Sequence, residues 1–179
     1  MTRRGVIALV ALVAAGSAAG GYAVRRWWMS SAADASDTRI RADAIFAARL
    51  ANLSGGTETL EQWRGRVLVV NFWATWCAPC REEIPLFIQM QKRYGARGLQ
   101  FVGVAIDQRE PVAAFQREFG MNYPVLLGGL EAMELMRSTG NRTGVLPYTL
   151  VIDRAGQVAS SKLGGLKEDE LESLIKRLL

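Results

Sequence analysis

The sequence predicts an α/β domain in which a mixed central β-sheet carries helices on both faces, with one apolar helix ahead of it. Three observations lead there. Val67–Trp73 and Leu99–Ile106 are near-continuous apolar runs, as expected for strands covered on both faces. Between them Ile84, Phe87, Ile88 and Tyr94 recur at helical spacing. The chain then closes with a hairpin pattern and an amphipathic helix, the alternation typical of a sheet sandwiched by helices.

Taken in order, Gly5–Val24 is uncharged and rich in Val, Leu, Ile, Ala and Gly, with Arg3 and Arg4 before it and Arg25, Arg26, Trp27 and Trp28 after it. A run of this length matches a bilayer crossing, whereas a signal-peptide core spans about 7–15 residues. Tryptophan favours the membrane–water boundary. Residues 1–28 therefore read as a membrane anchor or signal segment. Cleavage at Ala33-Asp34-Ala35, giving a soluble exported protein, is the alternative. Either route puts the main domain outside the cytoplasm, on the periplasmic side, and the anchor would hold it at the inner membrane. Residues 29–44 are small and polar, a linker, and the domain occupies 45–179.

Within that domain a helix is expected from about Cys77, with Pro85 inside it. A second helix runs over Pro111–Phe119 with proline in its first turn. Tyr123–Leu127 reads as a short strand and Leu130–Arg137 as a short helix. Leu150–Asp153, a turn at Arg154-Ala155-Gly156 and Gln157–Leu163 form the hairpin, and Lys167–Leu179 the closing helix. The first strand–helix–strand unit should cross over right-handed.

Composition narrows the function classes. Of the formal charge of +5, residues 1–35 contribute four arginines against Asp34. The rest is near neutral and lacks the basic stripe with interleaved aromatics that a nucleic-acid surface needs. A core of this size needs no disulfide to hold it, and a bridge closing so small a loop removes little chain entropy.

Cys77 and Cys80 are the only cysteines, and there is no histidine. Structural zinc takes four ligands, of which this pair supplies two. Haem attachment needs a histidine after the second cysteine, where Arg81 stands. What remains is thiol–disulfide exchange, with no cofactor and no metal expected beyond the cysteine pair itself. Cys77 follows a buried strand where a helix should start. Its sulfur would face unsatisfied N–H groups and the positive end of the helix dipole, which favour the thiolate. Cys80 lies one turn on and deeper, suited to resolve a mixed disulfide on Cys77. Ala78 and Pro79 stiffen the turn between them.

The stretch Phe72-Trp-Ala-Thr-Trp-Cys-Ala-Pro-Cys80 resembles the active-site segment of the thioredoxin superfamily. Arg81-Glu-Glu-Ile-Pro85 is similar to its TlpA-like and ResA-like branch, extracytoplasmic thiol–disulfide oxidoreductases that are often membrane-anchored. Gly144-Val-Leu-Pro-Tyr-Thr149 resembles the loop before that fold's hairpin. The resemblance covers Leu50 to Leu179 and implies a thioredoxin-like fold. It makes Cys77 the nucleophile, Cys80 the resolving thiol and Pro147 a cis-proline whose loop pairs with an extended substrate segment. The acid that thioredoxin carries two residues before the Trp73 position is Asn71 here, so Asp107, at the end of the next strand, becomes the expected proton acceptor for Cys80. The alternative for Asp107 is a strand-end cap. Glu82 and Glu83 read as first-turn charges, Trp73 as core, and Trp76 as a flank of the site. Tyr148 stands where haem-maturation relatives usually carry glutamate, which detracts from a dedicated cytochrome c role.

Strong oxidants of the superfamily commonly place a histidine between the cysteines; here Ala78-Pro79 stands instead. Weaker thiolate stabilisation makes the dithiol the better electron donor. The expected function is reduction of disulfides in exported proteins, with a membrane electron-transfer protein as reductant. Oxidase or isomerase activity, cytochrome c maturation, and a non-catalytic binding module are the alternatives.

Overall fold

A computed structural model describes residues 42–179. The expected apolar segment, its flanking arginines and most of the linker lie outside them. Among the described residues no helix is long and apolar enough to cross a membrane.

Residues 42–47 are helical (α1) and bury Ala42, Ile45 and Phe46. Two short strands follow, β1 (Arg49–Asn52) and β2 (Thr57–Thr59), then a 3-10 turn at Leu60–Trp63. The central elements are β3 (Val67–Trp73), α2 (Ala78–Tyr94), β4 (Leu99–Ala105), α3 (Arg109–Phe119), β5 (Val125–Leu127) and α4 (Leu130–Ser138). The hairpin is β6 (Tyr148–Ile152) with β7 (Val158–Leu163), and α5 (Glu168–Leu178) ends the chain.

These strands form a seven-stranded sheet in the order β2-β1-β5-β4-β3-β6-β7. β3, β4 and β5 are parallel to one another, while β6 runs antiparallel to β3 and β7 to β6. β3 and β4 are buried along their whole length, which is why both read as unbroken apolar runs rather than alternating ones.

The sheet separates two cores. On one face α2, α3 and α5 cover Val67, Val69, Trp73, Phe101 and Val151. On the other, α1, the 3-10 turn and α4 cover Leu68, Val70, Phe72, Val104 and Leu150. The two parallel crossovers, through α2 and α3, lie on the same face, as strands added successively in one direction with one handedness require. Arg81 reaches from α2 across the stacked Phe115–Phe119 pair of α3, 5.5 Å from the nearer ring centroid.

The topology brings the C-terminal ends of β3, β4 and β5, the start of β6 and the end of β7 to one end of the sheet, with the start of β1 and the end of β2 at the far side of that end. Ligands of open α/β sheets gather outside the carboxyl ends of the parallel strands.

Candidate active site

At that end β3 turns through Ala74-Thr75-Trp76 into α2, and Cys77 is the N-cap residue of the helix. Its carbonyl accepts the Arg81 N–H at 3.2 Å, closing the first turn. Pro79 has no N–H, so the free backbone donors ahead of that bond are those of Ala78 and Cys80. Cys77 and Cys80 are joined in a disulfide with Cα atoms 5.3 Å apart. Their environments differ: Cys77 is 6% exposed and Cys80 0%, because Cys80 has entered the helix and points into the core. The reachable sulfur is therefore at the N-cap, in the field of the helix dipole.

Pro147 immediately precedes the adjoining strand, β6. In the β3–β6 register Phe72 lies opposite Tyr148, which puts Pro147 beside the end of β3. The Leu146–Pro147 peptide is cis, and the Pro147 carbonyl accepts the Gly164 N–H at 2.9 Å. Trp76 is 69% exposed beside Cys77, and Ala78 and Pro79 are exposed too. Val145, Leu163 and Leu130 are exposed at the same end, so this rim collects every large exposed hydrophobic side chain among the described residues. Trp73, by contrast, is core. Its indole lies over Gly103, where a Cβ would come 2.9 Å from Nε1, and packs against Phe115.

Two acids bear on this region, Asp107 and Glu83. Asp107 is half-buried at the end of β4: Oδ2 accepts from the Thr75 N–H at 3.1 Å and from the Thr75 hydroxyl, and Oδ1 from the Gln108 N–H at 2.7 Å. It fastens the loop that leads into Cys77, the arrangement of a strand-end cap. Glu83 is 4% exposed. The helix starts at Ala78, so Glu82 and Glu83 fall beyond its first turn; Glu82 faces solvent, whereas Glu83 shares the inner face with Cys80, Ile84 and Phe87. Asn71 Nδ2 donates to Glu83 Oε1 at 2.8 Å and the Leu166 N–H donates to Oε2 at 3.2 Å. Burial pushes the Glu83 carboxyl up to about 7, and these two donors offset part of that rise. Asn71 on β3 is thus linked to an acid carried by α2. The signal was present in the sequence: Cys80, Glu83, Ile84 and Phe87 follow the i, i+3, i+4, i+7 spacing of a buried helix face.

Tyr148, next to Pro147, faces away from the disulfide. It stacks on Phe72 with ring centroids 5.9 Å apart, and its hydroxyl donates to the Thr139 carbonyl at 2.5 Å.

The family model described as Redoxin matches residues 34–177. The chain belongs to the Redoxin family. Within it, the chain is similar to the thiol-disulfide oxidoreductase ResA of Bacillus thuringiensis (strain Al Hakam), 27% identical over 128 residues that cover 71% of this chain and 72% of the relative. It is 31% identical to the thioredoxin-like protein YneN of Bacillus subtilis (strain 168), over 69% of this chain and 71% of that one. Among solved structures, a thiol:disulfide interchange protein of the thioredoxin family from Chlorobium tepidum TLS superposes with a TM-score of 0.68 at 29% identity, covering 73% of this chain and 92% of that one. The chain is thus a ResA-like member of the thioredoxin superfamily, with the mixed sheet and flanking helices of that fold.

Proposed function

We propose that this redoxin is a thiol–disulfide oxidoreductase that reduces disulfides of exported proteins. The observation that carries the reading is the disulfide at the N-cap of α2, whose outer cysteine is the less buried and whose inner cysteine lies one turn on, along the helix face that also buries Glu83. In the reduced protein the Cys77 thiolate attacks a substrate disulfide. A mixed disulfide forms and the first substrate sulfur leaves as thiolate. Cys80 then attacks the Cys77 sulfur, releasing the second substrate thiolate and leaving the Cys77–Cys80 disulfide. Two electrons pass to the substrate, and the Cys80 proton is taken up by the Glu83 carboxylate. A carboxyl near 7 exchanges protons in either direction at neutral pH.

The apolar rim of Trp76, Val145 and Leu163 beside Pro147 supports a polypeptide substrate laid across the site, pairing with the Pro147 loop as an added strand. The Ala78-Pro79 dipeptide and the absence of histidine support the donor direction. Residues 5–24 would anchor the domain on the periplasmic face of the inner membrane, where a membrane electron-transfer protein returns it to the dithiol.

Trapping tests the reading. Cys80→Ser should accumulate mixed disulfides on Cys77 with proteins of the exported fraction, and Cys77→Ser should abolish insulin reduction. Turnover that survives Cys77→Ser would rule the site out. A reduction potential close to that of the strong oxidants, about −120 mV, would reverse the direction of electron flow.

A further inference from the structure

Two donors hold Glu83, the Leu166 N–H and a neutral side chain, Asn71, that is itself held in place. Asn71 projects from the middle of β3, is itself buried, and has both amide hydrogens committed: one to Glu83 Oε1 at 2.8 Å, the other to Thr149 Oγ1 at 3.0 Å. Asn71 and Thr149 are directly opposed in the β3–β6 register, so the two strands fix the amide from both sides. A primary amide has two donors on its nitrogen, and both are used here. The reverse orientation would set a carbonyl oxygen against a carboxylate oxygen at 2.8 Å, which the ionised acid would repel. The two carboxylate oxygens are therefore unequal. Oε1 receives the shorter bond from a locked amide, and Oε2 receives only the 3.2 Å bond from the Leu166 backbone in the β7–α5 connection.

We infer that Asn71 is a positioning residue of the redox site: held by Thr149, it keeps Oε1 of Glu83 as a standing acceptor and so assigns the exchangeable proton to Oε2. A proton binds the oxygen whose lone pairs are less engaged, and a short bond to a charged acceptor stabilises the ionised form. Thr149 acts one step further out, by denying the amide any other rotamer. The groups facing the carboxyl are few. β3 and β6 present Asn71 and Thr149, both neutral; the β7–α5 connection presents the Leu166 N–H; α2 carries Cys80 one turn earlier; and Tyr123, ahead of β5, is the titratable group that feels the Glu83 charge. None of these is a cation, so the amide is the polar side chain that favours the carboxylate.

This inference rests on the reading of Glu83 as proton acceptor, and the two can fail separately. The measurement is the Glu83 carboxyl titration in the full chain, followed by the 13C resonance of labelled glutamate, alongside the pH profile of disulfide reduction. In wild type the Asn71 side-chain NH2 resonances should move with the Glu83 midpoint. Asn71→Leu, close in volume, should raise that midpoint by about one pH unit or more, the loss of one hydrogen bond to a charged group. Thr149→Val should raise it by less, with Asn71 intact. Reduction near pH 6.5 should slow several-fold in Asn71→Leu and return to the wild-type rate near pH 9, a pattern that a general loss of folding would not give. A Glu83 midpoint that stays put or falls in Thr149→Val, or Asn71 resonances that ignore the titration, overturns the inference even if Asn71→Leu does not fold. If Glu83→Gln leaves the pH profile unchanged, the acceptor role fails instead, while the carboxyl midpoints still decide the part played by Asn71.

Discussion

One strand serves two very different cores. Leu68, Val70 and Phe72 of β3 point to the face covered by α1 and α4, and Val69, Asn71 and Trp73 to the face covered by α2 and α3. On the first face the buried polar atoms are neutral and paired, as in the Tyr148 hydroxyl on Thr139 and the Asn141 amide on the Val145 carbonyl at 2.8 Å. The second face holds the disulfide, a titrating carboxyl and the Trp73 Nε1, the one buried side-chain nitrogen or oxygen among the described residues that lacks a partner. A buried acid costs stability unless it is paired with a charge, and no charged partner of this one is found among the described residues. The first face has no such cost and holds the sheet; the second spends stability on chemistry. Substitutions should therefore separate cleanly by the face they touch.

The largest expected effect on stability lies on the apolar face. Phe72→Ala removes a fully buried ring stacked on Tyr148 and should cost about 3–5 kcal/mol in urea denaturation, while the reduction potential in glutathione buffers stays at the wild-type value. A shifted potential would mean that the faces are not independent. Glu83→Gln should show the opposite character. The folded carboxyl titrates near 7 against a value of 4.5 in the unfolded chain, so the native state keeps a proton that the unfolded state releases. That contribution is fully present below pH 4.5 and is lost as pH rises through 7. Wild type should lose on the order of 3 kcal/mol across this window and then level off. Glu83→Gln should lack the slope, and a variant with the same slope would place the titration on another group.

The sequence made this division only partly legible. Long elements were readable because burial on both faces leaves no polar interruption: Val67–Trp73 and Leu99–Ala105 could be little else. β1 and β2 were not, since Arg-Leu-Ala-Asn and Thr-Glu-Thr are too short and too polar to show a period, and only pairing with β5 and with each other makes them strands. The cysteine pair and Pro147 were readable from motif and order. The burial of Glu83 was harder to read: a glutamate near a helix start reads as a first-turn charge, although its spacing from Cys80 puts it on the buried stripe. Asp107 was legible as a strand-end acid, but the Thr75 bonds that occupy it come from a loop conformation no local pattern encodes.

The smallest effect makes the sharpest comparison, because it concerns neighbours in the chain. Tyr148 and Thr149 follow Pro147 and, as successive strand residues, point to opposite faces. The Tyr148 hydroxyl serves the buried end of α4, donating to Thr139. The Thr149 hydroxyl serves the acid, through Asn71. Tyr148→Phe leaves a carbonyl short of one donor and should cost about 1–2 kcal/mol, with the Glu83 midpoint and the potential unmoved. Thr149→Val keeps the volume and should shift the midpoint while changing the denaturation curve less. A double variant should then combine the two effects additively, since the side chains point to opposite faces of the sheet. A coupling beyond about 0.5 kcal/mol would show that the strand passes strain from the structural face to the redox face.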